Sequence, residues 1–162
     1  MMRYWLSLGS NLGEPVAQLV SAINHLNRHT TVAEVSSLYE TDPVGPVEQN
    51  CFINLCLTLD TTLQPTELLQ LTQSIEQAHH RTRDIHWGPR TLDIDLLMGP
   101  TQVQTAELTL PHPEMHHRDF VLIPLAELKS RPTLEVGYPV TRSDTVRTLT
   151  HPAFPCRAWT DQ

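Results

Sequence analysis

The chain reads as one α+β domain, a ferredoxin-like βαββαβ core in which helices pack on a sheet. Three observations predict this. Four apolar stretches of strand length stand in order: "RYWLSL", "TVAEVSSLYET", "CFINLCLTLD" and "TLDIDLLM". Two stretches with helical spacing fall after the first and after the third, which leaves the order β-α-β-β-α-β. A length of 162 residues suits a single domain with a substantial core, with long loops between its elements.

Each element has its own reason. "RYWLSL" ends in "GSNLGEP", a turn that Ser10 or Asn11 could begin, and Pro15 suits the first position of a helix. Val16, Leu19, Val20, Ile23 and Leu26 then recur at helical spacing to about His29. "TVAEVSSLYET" reads as one strand, followed by the proline-rich loop "TDPVGPVEQN". In "CFINLCLTLD" the residues Cys51, Ile53, Leu55, Leu57 and Leu59 share one face, and Phe52 and Asn54 the other. "QPTELLQLTQSIEQAHH" is the second helix, with Leu68, Leu71 and Ile75 inward and Gln73, Glu76 and His80 on another face. A basic loop, "RTRDIHWGPR", precedes the strand "TLDIDLLM". "PHPEMHHRDFVLIPLAEL" suggests a loop and a short helix ending near Leu128, and the remainder shows no clear period.

Composition bounds the function. A formal net charge of −7 argues against a general nucleic-acid binder, though not against a local basic pocket for a small anion. Cys51, Cys56 and Cys156 form no CxxC pair and leave an odd count, as expected of a reducing compartment. No signal peptide and no apolar run of membrane length is read, so a cytoplasmic, membrane-free protein is expected.

The chemistry concentrates in "WGPRTLDIDLLMGP". Asp93 and Asp95 stand two apart in an apolar strand, so their carboxylates point the same way and repel. A solvated strand edge would explain a random pair. Here Arg81, Arg83 and Arg90 and Trp87 precede it, a setting that suits Mg²⁺ with a polyphosphate. Trp87 before Gly88 and Pro89 suggests a lid. "SLGSNLG" lacks the remaining residues of a P-loop or dinucleotide fingerprint and reads as a turn and helix start. Pro111 and Pro113 break the helical spacing of His112 and His116, and HExxH is absent, so zinc catalysis is not expected.

Taken together, "WGPRTLDID", "SLGSNLG", "YETDPVGP", "FINL" and "LPHPEMHHRDFVLIPL" resemble the 6-hydroxymethyl-7,8-dihydropterin pyrophosphokinase family of folate biosynthesis. The resemblance runs from about Tyr4 to Leu128, within a single domain 1–162, and the tail 129–162 matches poorly. It implies transfer of pyrophosphate from ATP to the pterin hydroxymethyl group, with release of AMP, by a monomer. It makes Arg81, Arg90, Asp93 and Asp95 catalytic, and gives Asp93 and Asp95 two Mg²⁺ ions. Thr41, Asp42, Pro43, Val44, Phe52, Asn54 and Phe120 would bind pterin. Gln73, Glu76, Arg81, Arg83, Trp87, Arg90, Ile94, His112 and Arg118 would bind ATP. From the residues alone, Phe52 and Phe120 would be core; the resemblance moves them to the two faces of the pterin.

Four positions depart from the common pattern: Phe52 where Tyr is frequent, His86 where a basic residue often stands, Glu107 for Arg, and Pro113 for an aromatic. Two of these remove positive charge near the expected ATP site and predict weaker ATP binding. A pterin- or nucleotide-binding paralogue without turnover is the alternative they allow. A metal-dependent nucleotidyltransferase fits less well, because its Gly-Ser turn and DxD lie close together, whereas Ser10 and Asp93 are far apart.

Overall fold

The structure is a computed structural model that describes residues 1–43, 45, 48–79, 92–135, 137–138 and 143–162. Strand β1 (Met2–Ser10) leads to helix α1 (Pro15–His29), then to β2 (Thr31–Val35), β3 (Leu38–Thr41) and β4 (Phe52–Thr61). Helix α2 (Pro65–Ala78) precedes β5 (Asp93–Met98) and a small hairpin, β6 (Val103–Gln104) with β7 (Thr109–Leu110). A 3-10 turn (Met115–His117), helix α3 (Asp119–Glu127) and the tail strands β8 (Val146–Leu149) and β9 (Cys156–Arg157) complete the order.

Among the described residues seven strands form one sheet, with the path β5-β1-β4-β2-β9 and with β3 and β8 attached through β4. The inner run β5-β1-β4-β2 and the helices between its strands are the α+β arrangement that the residue pattern predicts. Antiparallel pairing carries β1 along β4 from Met2 opposite Thr61 to Ser10 opposite Ile53. Alternation sorts the side chains between two cores. Leu6, Leu8, Leu55, Leu57, Ile94 and Leu96 pack with Leu19, Ile23 and Leu26 of α1 and Leu68 and Ile75 of α2. Cys56 and Leu97 face the other way, against Val121, Leu122 and Leu125 of α3.

Both long helices begin on proline, where a missing N–H costs nothing. In α1 the N-cap is Glu14, three residues past the turn that begins near Asn11. Asn11 is buried and donates to Gln49 Oε1 and to the Asn50 carbonyl, each at 2.9 Å. In α2 a reciprocal capping box joins Gln64 and Glu67.

The stretch expected as one strand is two, divided at Ser36–Ser37. At the step, Ser36 Oγ accepts the Cys56 N–H at 3.0 Å and donates to the Ser37 carbonyl at 2.8 Å. Glu127 of α3 takes what the step leaves over: the Ser37 N–H and hydroxyl, each at 2.7 Å, and the Tyr39 hydroxyl at 3.0 Å. Burial and the neighbouring Glu127 push the Tyr39 phenol well above its ordinary range, so it stays a donor. Short hydroxyl side chains compete with the strand ladder, and here they bend it.

The tail, which shows no period, contributes β8 beside β3 and β9 beside β2. Its Phe154 and Trp159 enter the α1 core, where Trp159 Nε1 donates to Asn24 Oδ1 at 2.8 Å. No helix among the described residues is long and apolar enough to cross a membrane. Glu127→Ala strands three donors and lowers unfolding free energy by about 1–2 kcal/mol in a urea titration, with Glu127→Gln losing less. Equal stability of the Ala variant and wild type would mean that strand pairing alone holds the step.

Candidate functional site

The site is laid out by the register of β1, which pairs on both sides. Gly9 lies opposite Asn54 of β4 and opposite Asp93 of β5. Ser7 lies opposite Cys56 and Asp95 in the same way. All six therefore share one face, with Asn54 and Asp93 two strand spacings, about 10 Å, apart. Gly9 is required there, since a Cβ at this position would run into the Asn54 side-chain oxygen. Asn54 is buried and donates from Nδ2 to Thr41 Oγ1 at 2.7 Å, which leaves its carbonyl toward Gly9. Cys56 is buried behind Asp95, and burial pushes its thiol far above the usual range, so it stays protonated.

A cleft of about 340 Å³ follows the outer edge of β5, lined by Gln73 and Glu76 of α2, Asp93, Ile94, Asp95, Glu107, His112 and Arg118. Its ten described lining residues also include Leu69 and Thr72 of α2. Two contacts cover the strand edge. Buried Glu76 accepts the Ile94 N–H through Oε2 at 2.9 Å, between the two aspartates. The His112 N–H donates to the Leu97 carbonyl at 2.8 Å. His112 Nδ1 accepts the Glu114 N–H at 3.1 Å, so the neutral ring carries its proton on Nε2. Burial, then Arg118, holds the His112 pKa below its ordinary value, against smaller opposing pulls from Glu114 and Asp93.

Arg118 joins the two halves of the site. Its Nη1 is 3.6 Å from Asp95 Oδ2, and its guanidinium lies over the Phe120 ring at 5.7 Å from the centroid. On that side Thr41 stands opposite Phe52 across β3 and β4, and Asp42 Oδ1 accepts from Arg147 at 2.9 Å. The carboxylates Asp93 and Asp95 are half-buried on one face, and no group of three or more His, Cys, Asp or Glu able to hold a metal exists among the described residues. Two carboxylates without a full protein cage are the donor set that suits Mg²⁺ when phosphate and water supply the rest. Asp93 and Asp95 fit that ion.

Of the residues expected at the site, Gln73, Glu76, Asp93, Ile94, Asp95, His112 and Arg118 meet at the cleft. Thr41, Asp42, Phe52 and Asn54 meet at the β3–β4 end, and Phe120 lies under Arg118. Arg81, Arg83, His86, Trp87, Arg90 and Val44 lie outside the described residues. Ser7, Gly9, Leu69 and Thr72 escaped the reading of the residues. A glycine near the end of an apolar strand was the available signal for Gly9, since it marks a close approach.

Residues 5–130 match the family model for 7,8-dihydro-6-hydroxymethylpterin-pyrophosphokinase (HPPK). The chain is 44% identical over 146 residues to 2-amino-4-hydroxy-6-hydroxymethyldihydropteridine pyrophosphokinase of Bacillus subtilis, a match covering 88% of this chain and 87% of that one. It is 40% identical over 133 residues to the protein of the same name from Haemophilus influenzae, covering 80% and 83%. Among solved structures it resembles Plasmodium falciparum HPPK-DHPS with a TM-score of 0.59 and 16% identity, over 84% of this chain and 41% of that one. This likeness speaks to the fold alone, and the chain spans about two fifths of that longer protein. On the family model and the extent of its identity to these relatives, the chain belongs to the 7,8-dihydro-6-hydroxymethylpterin-pyrophosphokinase family.

Proposed function

We propose that the chain transfers pyrophosphate from ATP to the hydroxymethyl group of 6-hydroxymethyl-7,8-dihydropterin and releases AMP, a step of folate biosynthesis. The observation that carries this reading is the shared face on which Asn54, Gly9 and Asp93 lie in one row, with Asp95 beside them. It sets an amide for a flat heterocycle about 10 Å from a pair of carboxylates, across a lane that only glycine keeps open. The pterin hydroxyl oxygen bonds to the β-phosphorus, the bond from that phosphorus to the α-phosphate's bridging oxygen breaks, and the hydroxyl proton passes to solvent.

The residues divide the work. Asn54 and the backbone at Thr41–Pro43 meet the pterin's hydrogen-bonding edge, and Phe52 and Phe120 flank its faces. Gln73, Glu76, Ile94, His112 and Arg118 line the nucleotide's side, where the His112 Nε2–H and the Arg118 guanidinium donate to phosphate. Among the described lining residues, Glu76, Asp93, Asp95 and Glu107 stand against only Arg118 and His112. A polyphosphate entering there needs positive charge. Mg²⁺, bound by Asp93 and Asp95, would neutralise the phosphate oxygens and hold the transferred group. Arg81, Arg83, Trp87 and Arg90 complete the expected nucleotide set by resemblance. Holding the two substrates in line and offsetting their charge accounts for the acceleration, with no separate base assigned.

Incubation with ATP, Mg²⁺ and the pterin should yield pterin-dependent AMP, and Asp93→Asn or Asp95→Asn should cut turnover at least about a hundredfold with the fold intact. Release of pyrophosphate would indicate a nucleotidyltransferase, and pterin binding without AMP a non-catalytic paralogue. Gly9→Ala should weaken pterin binding about tenfold or more in calorimetry, because it displaces the Asn54 amide; an unchanged affinity would remove Asn54 from pterin recognition. Glu107→Arg should tighten ATP about threefold to fivefold. No gain, alone or with His86→Arg, would show that these charge losses do not set nucleotide affinity.

A further inference from the structure

The segment after Ser130 lies beyond the match to the family model, yet it returns to the Thr41 end of the sheet. Strand β8 pairs with β3 from Leu38 opposite Leu149 to Thr41 opposite Val146. The Asp42 N–H, one residue past β3, donates to the Thr145 carbonyl at 3.0 Å. From β8, Arg147 Nη2 donates to Asp42 Oδ1 at 2.9 Å and Glu40 Oε1 at 3.1 Å, and lies 3.8 Å from Cys51 Sγ. Asp42 leaves β3 and Cys51 enters β4, so one guanidinium touches both ends of the connection between those strands. Cys51 Sγ also lies 3.7 Å from Asp42 Oδ1, which closes the ring of contacts.

Alternation says how this group acts. Arg147 is paired with Glu40, whereas Thr41 faces Phe52 and the Asn54 side of the sheet. Arg147 therefore does not reach the lane beside Gly9. It acts on the backbone of the residues that do.

We propose that Arg147 is a positioning residue for the pterin pocket, and that the tail segment Ser143–Leu149 is part of that pocket's framework. It clasps the stem Asp42–Cys51 and so sets where Thr41, Phe52 and Asn54 stand relative to one another. An isolated exposed ion pair would contribute little, but here one planar donor bridges two carboxylates beside a backbone hydrogen bond and a four-residue ladder. Arg147 Nη2 makes both carboxylate contacts while Nη1 donates to the Asp144 carbonyl at 3.4 Å, a second nitrogen that lysine lacks.

This inference rests on the pterin pyrophosphokinase reading, and the full chain tests it through Arg147→Ala and Arg147→Lys beside wild type. In Arg147→Ala the KM for pterin should rise about threefold to tenfold, with kcat and the KM for ATP unchanged and an intermediate rise in Arg147→Lys. Amide exchange at Asp42 should quicken in the ligand-free Ala variant. An active wild type whose pterin KM is unmoved by Arg147→Ala overturns this inference alone, whatever happens to exchange. Equal rises in both KM values overturn it too, since they report a general loosening. A wild type without pterin-dependent AMP overturns the functional reading, and this inference with it.

Discussion

The site depends on the double pairing of a central strand. Because β1 is held by β4 on one side and β5 on the other, Gly9 and Ser7 fix the spacing between the amide and the carboxylates. Neither neighbour can slip by one residue without turning its site residues, Asn54 in β4 or the aspartates in β5, into the leucine core between sheet and helices. The packing of Leu6, Leu8, Ile94 and Leu96 against α1 and α2 thus enforces the geometry on the opposite face. Function is positioned here by hydrophobic register, and the polar face inherits it.

The outer flank of β5 is the complementary constraint. A strand at a sheet edge offers unpaired backbone groups that another strand could capture. Glu76 takes the Ile94 amide and the backbone at His112 donates to Leu97, so the edge is occupied by groups that leave the carboxylates accessible. The same two residues line the cleft, so covering the strand and shaping the pocket are one arrangement.

Much of this was legible before the fold was known. The periodicity of Leu19, Ile23 and Leu26, and that of Leu68 and Ile75, reported both helices, and the alternation through Phe52, Ile53, Asn54 and Leu55 reported β4, because large buried faces leave strong patterns. The paired aspartates were visible for the same reason: charge inside an apolar strand demands an explanation. The division at Ser36–Ser37 was hidden, since Glu127, which satisfies it, is a residue of a distant helix. Gly9 became meaningful only once its neighbours across the sheet were known. The tail was illegible because strands of four and two residues are too short to show alternation.

The clasp between β8 and β3 joins residues 107 apart in sequence. Contacts so distant form late, after the loops between them have closed. While the chain is being made, the sheet from β1 to β5 has the residues it needs well before Arg147 exists. Asp93, Asp95 and Asn54 would then stand in place around a rim still open at Asp42. On the reading proposed above, tight pterin binding would then come after the rest of the site, sharpened by a segment that lies off the face carrying Asn54 and the aspartates.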